Sequence, residues 1–155
     1  MWFDTFCTSV TLKLVRLVLD TTIFVAAFRS HSGASRKLLQ LVPARAFLPV
    51  VSPALYLEYE SVLTRPEQLA VHGVTPQRIE EALIYFAGFT EKVRIHFSYR
   101  PQLRDENDEM VLEAAINGHA DAIVTHNVRD FLPVAHRFGI EVLTPSRILK
   151  ERLSR

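Results

Sequence analysis

Cysteine is almost absent from this chain: Cys7 is the only one among 155 residues. That excludes an internal disulfide and a zinc cage built from thiolates, and a reducing cytoplasm is the natural expectation. Glycine is scarce as well, with five residues. None of them spells a Gly-x-x-x-x-Gly-Lys phosphate loop, a Gly-x-Gly-x-x-Gly turn or a Gly-x-Ser-x-Gly nucleophile elbow. The histidines, His31, His72, His96, His119, His126 and His136, make no His-x-His or His-x-x-x-His pair, so a histidine zinc site is not expected. No apolar run approaches the roughly 20 residues that span a bilayer, so no membrane partner is expected. Met1 to Leu19 carries Asp4 early and Lys13 and Arg16 within its apolar part, which is not the pattern of a signal peptide. An excess of one charge is missing too: 18 Lys and Arg against 17 Asp and Glu leave a formal net charge of +1. Without a domain-wide basic footprint, any nucleic-acid site must be local.

Acids are missing from one stretch in particular. Asp20 is the only carboxylate between Asp4 and Glu58, while Lys13, Arg16, Arg29, Arg36, Lys37 and Arg45 lie around it. It closes the apolar run Leu17-Val18-Leu19 and is followed by Thr21-Thr22. A carboxylate at the end of a buried strand is costly unless something compensates its desolvation.

What is present reads as one domain. The hydrophobic fraction is 48% and the charged fraction 23%, within the globular range. Residues 1–13 read as an N-terminal extension and residues 14–155 as the domain. Leu14–Leu19, Phe47–Val51, Val93–Phe97, Ala122–Thr125 and Ile140–Leu143 read as strands, being short and rich in branched apolar residues. Thr22 reads as a cap for a helix through Ile23–Phe28, and a further helix is expected over Ala34–Val42. Ser52-Pro53, Thr75-Pro76 and Thr144-Pro145 each pair a capping hydroxyl with a proline at the first helical position, so each marks a helix start. Another helix runs from about Asp108 to Asn117, ended by Gly118, and Phe131–Arg137 reads as a helical turn. Strands alternating with helices predict an α/β fold: a three-layer α/β/α sandwich with a mainly parallel central sheet. Ligands of such sheets bind beyond the carboxyl ends of the strands, where Asp20, Asn127 and Asp130 fall.

Four acidic groups stand out: Asp20, Glu58, the pair Asp105 and Asp108, and Asp130. Each has a plain structural alternative. Asp105 and Asp108 suit a helix N-terminus, Glu58 suits a surface charge, although its neighbours Leu57 and Tyr59 favour a half-buried position, and Asp130 suits a turn. Gathered together they make a different case. Two like charges about 4 Å apart repel by roughly 4 kcal/mol at an effective dielectric near 20, so a carboxylate cluster calls for a cation. Mg²⁺ or Mn²⁺, hard and oxygen-seeking, fits such donors and can activate water against a phosphodiester.

At these residues the chain resembles the PIN-domain ribonucleases, in particular the VapC-like toxins of toxin–antitoxin pairs. The matching stretches are Leu17-Val18-Leu19-Asp20-Thr21-Thr22, then Val51-Ser52-Pro53-Ala54-Leu55 leading to Glu58. Leu103-Arg104-Asp105-Glu106-Asn107-Asp108-Glu109 follows, and then Ala122-Ile123-Val124-Thr125-His126-Asn127-Val128-Arg129-Asp130-Phe131. The resemblance implies a PIN-like sandwich and metal-dependent endonuclease activity on RNA that leaves a 5′-phosphate and a 3′-hydroxyl. It places the site acids on Asp20, Glu58, Asp108 and Asp130, with Asp105 as an accessory or alternative ligand. Thr125 matches a hydroxyl that orients a ligand or water, with Asn127 close by. Where the family commonly has Asp-Thr-Asn, this chain has Asp20-Thr21-Thr22, which implies altered hydrogen bonding around the site rather than loss of metal. Arg29, Arg36, Arg104 and Arg129 are candidates to position an RNA backbone. A cognate antitoxin is implied as a partner. A homodimer through the apolar helix Ile79–Phe89 stands beside a wholly intramolecular role for that helix. The alternative function is a PIN-like module that binds RNA or protein without cutting.

Overall fold

The structure is a computed structural model that describes residues 13–154. Apart from Lys13, the N-terminal extension expected over residues 1–13 lies outside the described residues. The chain alternates strand and helix as its periodicity predicts. β1 (Arg16–Leu19) leads to α1 (Thr21–Arg29) and α2 (Ala34–Gln40), and β2 (Leu48–Val51) to α3 (Pro53–Leu63), α4 (Pro66–His72) and α5 (Pro76–Ala87). β3 (Glu91–Lys92) precedes α6 (Glu106–Asn117), and β4 (Ala122–Val124) precedes α7 (Val128–Ala135). A 3-10 turn (His136–Phe138), β5 (Glu141–Leu143) and α8 (Pro145–Glu151) complete the order.

The five strands form one sheet in the order β3-β2-β1-β4-β5, and every pairing is parallel. Leu17, Val18 and Leu19 are all buried although successive side chains point to opposite faces. Both faces of the sheet are therefore covered, and the fold is an α/β/α sandwich. β1 lies at the centre, between β2 and β4, so the residue that follows it emerges in the middle of the sheet's carboxyl edge.

The hydroxyl–proline helix starts hold at all three positions. Ser52, Thr75 and Thr144 accept backbone N–H bonds from Leu55, Arg78 and Arg147. Two expectations need correction, and one helix start comes in addition. Thr22 does not cap α1; Asp20 occupies the cap position and Thr21 is the first helical residue. Arg65-Pro66 is a further helix start: Pro66 opens α4, which terminates at Gly73 with φ 67°, a left-handed conformation natural to glycine. The third strand is not Val93–Phe97 but Glu91–Lys92. Its place at the sheet edge is set by charge rather than apolar alternation, because Arg16 grips both oxygens of Glu91 at 2.8 Å. The chain leaves the sheet after Val93 bonds to the Val51 carbonyl.

Gly118, at the end of α6, lets that helix approach β2. A Cβ there would lie 2.3 Å from Val50 Cγ1 and 2.7 Å from the Ala114 carbonyl oxygen. Gly118→Ala is therefore expected to destabilise the fold by about 1–3 kcal/mol. Urea unfolding would measure this, and an unchanged midpoint would contradict the tight contact.

Candidate metal-ion and nuclease site

The carboxyl ends of β1 and β4 are neighbours, paired through Leu19 and Val124. Asp20 follows the first and Thr125-His126-Asn127 follows the second. Asp20 is 1% exposed and Thr125 is fully buried. The Asp20 carboxylate does not cap its own helix. Instead Oδ2 accepts from the Thr22 hydroxyl at 2.8 Å and the Thr125 hydroxyl at 2.7 Å, while Oδ1 takes a longer bond from Thr21 at 3.3 Å. Each of the two shorter donors is oriented in turn. Thr22 Oγ1 accepts the His126 backbone N–H at 3.2 Å, and Thr125 Oγ1 accepts that of Asn127 at 2.9 Å. Two parallel relays thus run from the turn after β4 to one carboxylate oxygen.

Behind this edge, Tyr59 of α3 donates its hydroxyl to the Leu19 carbonyl. Its phenol is pushed well up by complete burial and then by the Asp20 charge, so it remains a neutral donor. One residue before it on α3, Glu58 turns toward the cleft with a side chain 14% exposed, 3.9 Å from Arg65 Nη2. Asp105 caps α6 by accepting the Asn107 N–H at 2.9 Å, so the helix-terminus reading of this residue is correct as far as it goes. Asp108 occupies the first turn of α6.

These side chains meet around one open cleft of about 450 Å³, lined by Asp20, Thr22, Glu58, Asp105, Asp108 and Asn127 among others. Asp108 carries the electrostatic strain of the group. Its carboxyl is pushed up to about 7, by burial first and then by the charges of Asp20, Asp105, Asp130 and Glu109. Asp130, exposed in the first turn of α7, does not line the cleft, yet its charge reaches Asp108. Among the described residues, no three histidine, cysteine, aspartate or glutamate side chains stand at metal-ligand spacing. The acids share a cleft and feel one another's charge without being closed into a cage.

The candidate cations divide. Arg29 lines the cleft, with its Nε donating to Gln68 Oε1 at 3.1 Å. Arg36 lines a separate, apolar cavity of about 340 Å³ between α1, α2 and α5, beside Phe24, Phe28 and Phe86. Arg104 and Arg129 are exposed and do not line the cleft. Residues that the sequence reading did not select also face the cleft: Arg65, Asn107 and His126. The His126 ring is held by a hydrogen bond between Nε2 and the buried Ser35 hydroxyl at 2.8 Å. Arg65 was findable from Arg65-Pro66 read as a helix start. Nothing local signals a contact between residues 35 and 126.

The family model described as "PIN domain" matches residues 16–129. No curated protein matches the chain. Among solved structures, the chain is similar to VapBC2 from Rickettsia felis bound to a DNA fragment from its promoter, with TM-score 0.58, 18% identity, and 84% of this chain and 98% of the other covered. It is also similar to VapBC-1 from nontypeable Haemophilus influenzae, with TM-score 0.56, 13% identity, and 86% of this chain and 100% of the other covered. At these identities the likeness is one of fold.

The raised Asp108 carboxyl has a measurable consequence. Its folded-state value, about 7, exceeds its ordinary value of 3.8. The folded protein therefore binds the extra proton between those values, and Asp108 subtracts stability as pH rises through that window. In chelator, Asp108→Asn is expected to raise the melting temperature at pH 8, with the gain fading toward pH 4. A pH-independent difference in thermal scans would refute this.

Proposed function

Because the chain belongs to the PIN domain family, we propose that it is a metal-dependent endoribonuclease, hydrolysing RNA phosphodiester bonds as the toxin of a toxin–antitoxin pair. One observation carries the reading: Asp20, Glu58, Asp105 and Asp108 line a single cleft, where the Asp108 carboxyl is pushed up by burial and then by the charges of its neighbours. An all-oxygen donor set of this kind fits Mg²⁺ or Mn²⁺. Asp20 and Asp108 would hold the ion, with Asp105 as accessory, and Asp130, outside the cleft lining, would reach it only if the turn after β4 moved inward. When bound, the ion supplies charge neutralisation at phosphorus and makes water a better nucleophile.

The remaining work falls to the chain's own groups. Glu58 accepts a proton from the attacking water as its oxygen bonds to phosphorus. The phosphorus–oxygen bond to the 3′-oxygen breaks and that oxygen takes a proton from solvent water, leaving a 5′-phosphate and a 3′-hydroxyl. Thr22 and Thr125 hold Asp20 in its rotamer, and Asn127 sits at the cleft wall. Arg29, Arg65 and His126 supply donors to phosphate oxygens at the cleft, while Arg104 and Arg129 lie further along the backbone path. Arg36, placed beside the apolar cavity, contributes less to that path than Arg29.

An antitoxin segment with a basic side chain would match the acidic cleft and silence it. On α5, Leu83 and Phe86 belong to the chain's own core while Ile84 is 59% exposed. Ile84 shares an apolar groove with Leu57 of α3. A homodimer would use this outward face, and light scattering that returns a monomer at high concentration would count against it. No helix among the described residues is long and apolar enough to cross a membrane, and the proposed place of action is the cytoplasm.

The test is RNA cleavage in Mn²⁺ or Mg²⁺. Asp20→Asn is expected to abolish cleavage, and Glu58→Gln to lower kcat by about 100-fold or more. Thr125→Val is expected to weaken metal binding by about 10-fold in calorimetry. Equal cleavage by wild type and Asp20→Asn would defeat the site assignment. RNA binding without metal binding or cleavage would favour a non-cutting PIN-like module instead.

A further inference from the structure

Between β3 and α6 the chain runs as a strap along α6. Three α6 residues, one helical turn apart, hold it there. Asn117 bonds the backbone of His96 and Phe97. Glu113 accepts from Ser98 at 2.6 Å and from Arg100 at 2.8 and 2.9 Å. Glu109 accepts the backbone N–H groups of Gln102 and Leu103. Spacing of four residues puts these groups on one helix face, so the strap climbs from the C-terminal end of α6 to its N-terminal end. It delivers Asp105 directly into the acidic cleft.

The outward side of this strap has an unusual composition. From Lys92 to Arg104 there is no acid, while Lys92, Arg94 and Arg104 are basic and Arg100 is turned to Glu113. Between them stand aromatic rings that face water: Phe97 is 62% exposed and Tyr99 48%. Their rings are near-parallel, 20° apart in plane with centroids 6.3 Å apart. Tyr99 also meets Phe138, itself 38% exposed, at 5.7 Å. Two carboxylates of α6 beneath the strap, Glu109 and Glu113, are occupied by its own donors. A row of exposed rings interleaved with cations, on an acid-free path that ends at the cleft, matches the stacking platform and electrostatic track of single-strand binders.

We propose that the strap of residues 94–104, with Phe138, is a binding site for single-stranded RNA outside the cleft: bases stack on Phe97, Tyr99 and Phe138, and Arg94 and Arg104 meet the backbone. This rests on the reading of the chain as an RNA-acting protein. Stacking on rings is tolerant of base identity, so the site adds affinity and direction rather than base specificity. Along α6 the rings sit at the level of Glu113 and Asn117, which at about 1.5 Å per residue lie about 8–14 Å from Asp108. The site therefore serves substrates that extend beyond the cleft.

The test uses the full chain in chelator, where no cutting occurs, with a labelled single-stranded RNA of about 12 nucleotides, within the usual site sizes of such tracks, followed by fluorescence anisotropy. The double variant Phe97→Ala/Tyr99→Ala is expected to raise Kd by about 10-fold or more. Phe97→Tyr/Tyr99→Phe, which keeps both rings, is expected to restore the affinity. Val71→Ala, removing an apolar side chain 60% exposed on α4, controls for general loss of apolar surface and is expected to leave Kd unchanged. Arg94→Ala is expected to flatten the dependence of log K on log salt by about 0.7, a readout that does not require the ring variants to fold. A natively folded double-alanine variant with wild-type Kd would overturn the proposal and leave the patch to a protein partner, as would wild type that binds no RNA. With metal present the two readings separate. Loss of binding in the double variant while wild type cuts no RNA would sink the nuclease and keep the strap. Unchanged KM on long RNA in an active enzyme would sink the strap and keep the nuclease.

Discussion

Everything at this site hangs on a carboxylate kept where water is nearly excluded. An ionised acid in apolar surroundings is tolerable only when hydrogen bonds replace its hydration, and bonds to a charged group contribute about 1.5–3 kcal/mol each. Asp20 receives two such bonds at one oxygen, from Thr22 and Thr125. A hydroxyl has one proton. Because each threonine oxygen already accepts a backbone N–H, that proton is directed to Asp20 rather than free to rotate. Residues far apart in the chain are thereby tied to a single atom, and the turn that leads to Asp130 is fixed relative to the central strand.

Asp108 is the complement of Asp20. One acid is deeply buried yet furnished with donors; the other is half-buried, faces fellow acids and is held up at about 7. The contrast extends along α6. Glu109 and Glu113 are also buried, but strap N–H groups occupy the first, and the Arg100 guanidinium holds the carboxyl of the second below its usual range. The same helix thus carries acids that stabilise the strap and an acid whose charge is left for something external. The distinction is not one of residue type but of which face of α6 the strap covers.

This explains what could be read from residue order. The parallel sandwich was legible because β1 and β4 are short branched runs and because hydroxyl–proline pairs mark three helix starts. Asp20 was legible because it is chemically alone in its third of the chain. Glu58, Asp105 and Asp108 were legible as candidates, and they do share a cleft. The third strand was not, because Glu91–Lys92 carries no apolar signal and is anchored by the distant Arg16. The strap was not, because its order comes from α6 side chains 6 to 21 residues later and not from any periodicity of its own. Arg36 lines the apolar cavity and not the cleft for a related reason: a charge on a helix says nothing about which cavity the helix faces.

Thr22 is where the chain departs from the Asp-Thr-Asn that the resemblance leads one to expect, and its hydroxyl still joins Asp20 to the turn after β4. A threonine reaches less far than an asparagine amide, so it can join Asp20 to the turn after β4 only if that turn comes close. Ser35 of α2 provides the closeness. Its buried hydroxyl holds the His126 ring at 2.8 Å, and the backbone N–H of the same histidine lies 3.2 Å from Thr22 Oγ1. Contact on the ring side keeps the backbone side within reach of a short donor. The shorter side chain at position 22 and the serine at position 35 therefore work as one device, joined through His126. Lengthening the side chain at 22 without releasing Ser35 would crowd the turn and displace the hydroxyl bond on which the burial of Asp20 depends.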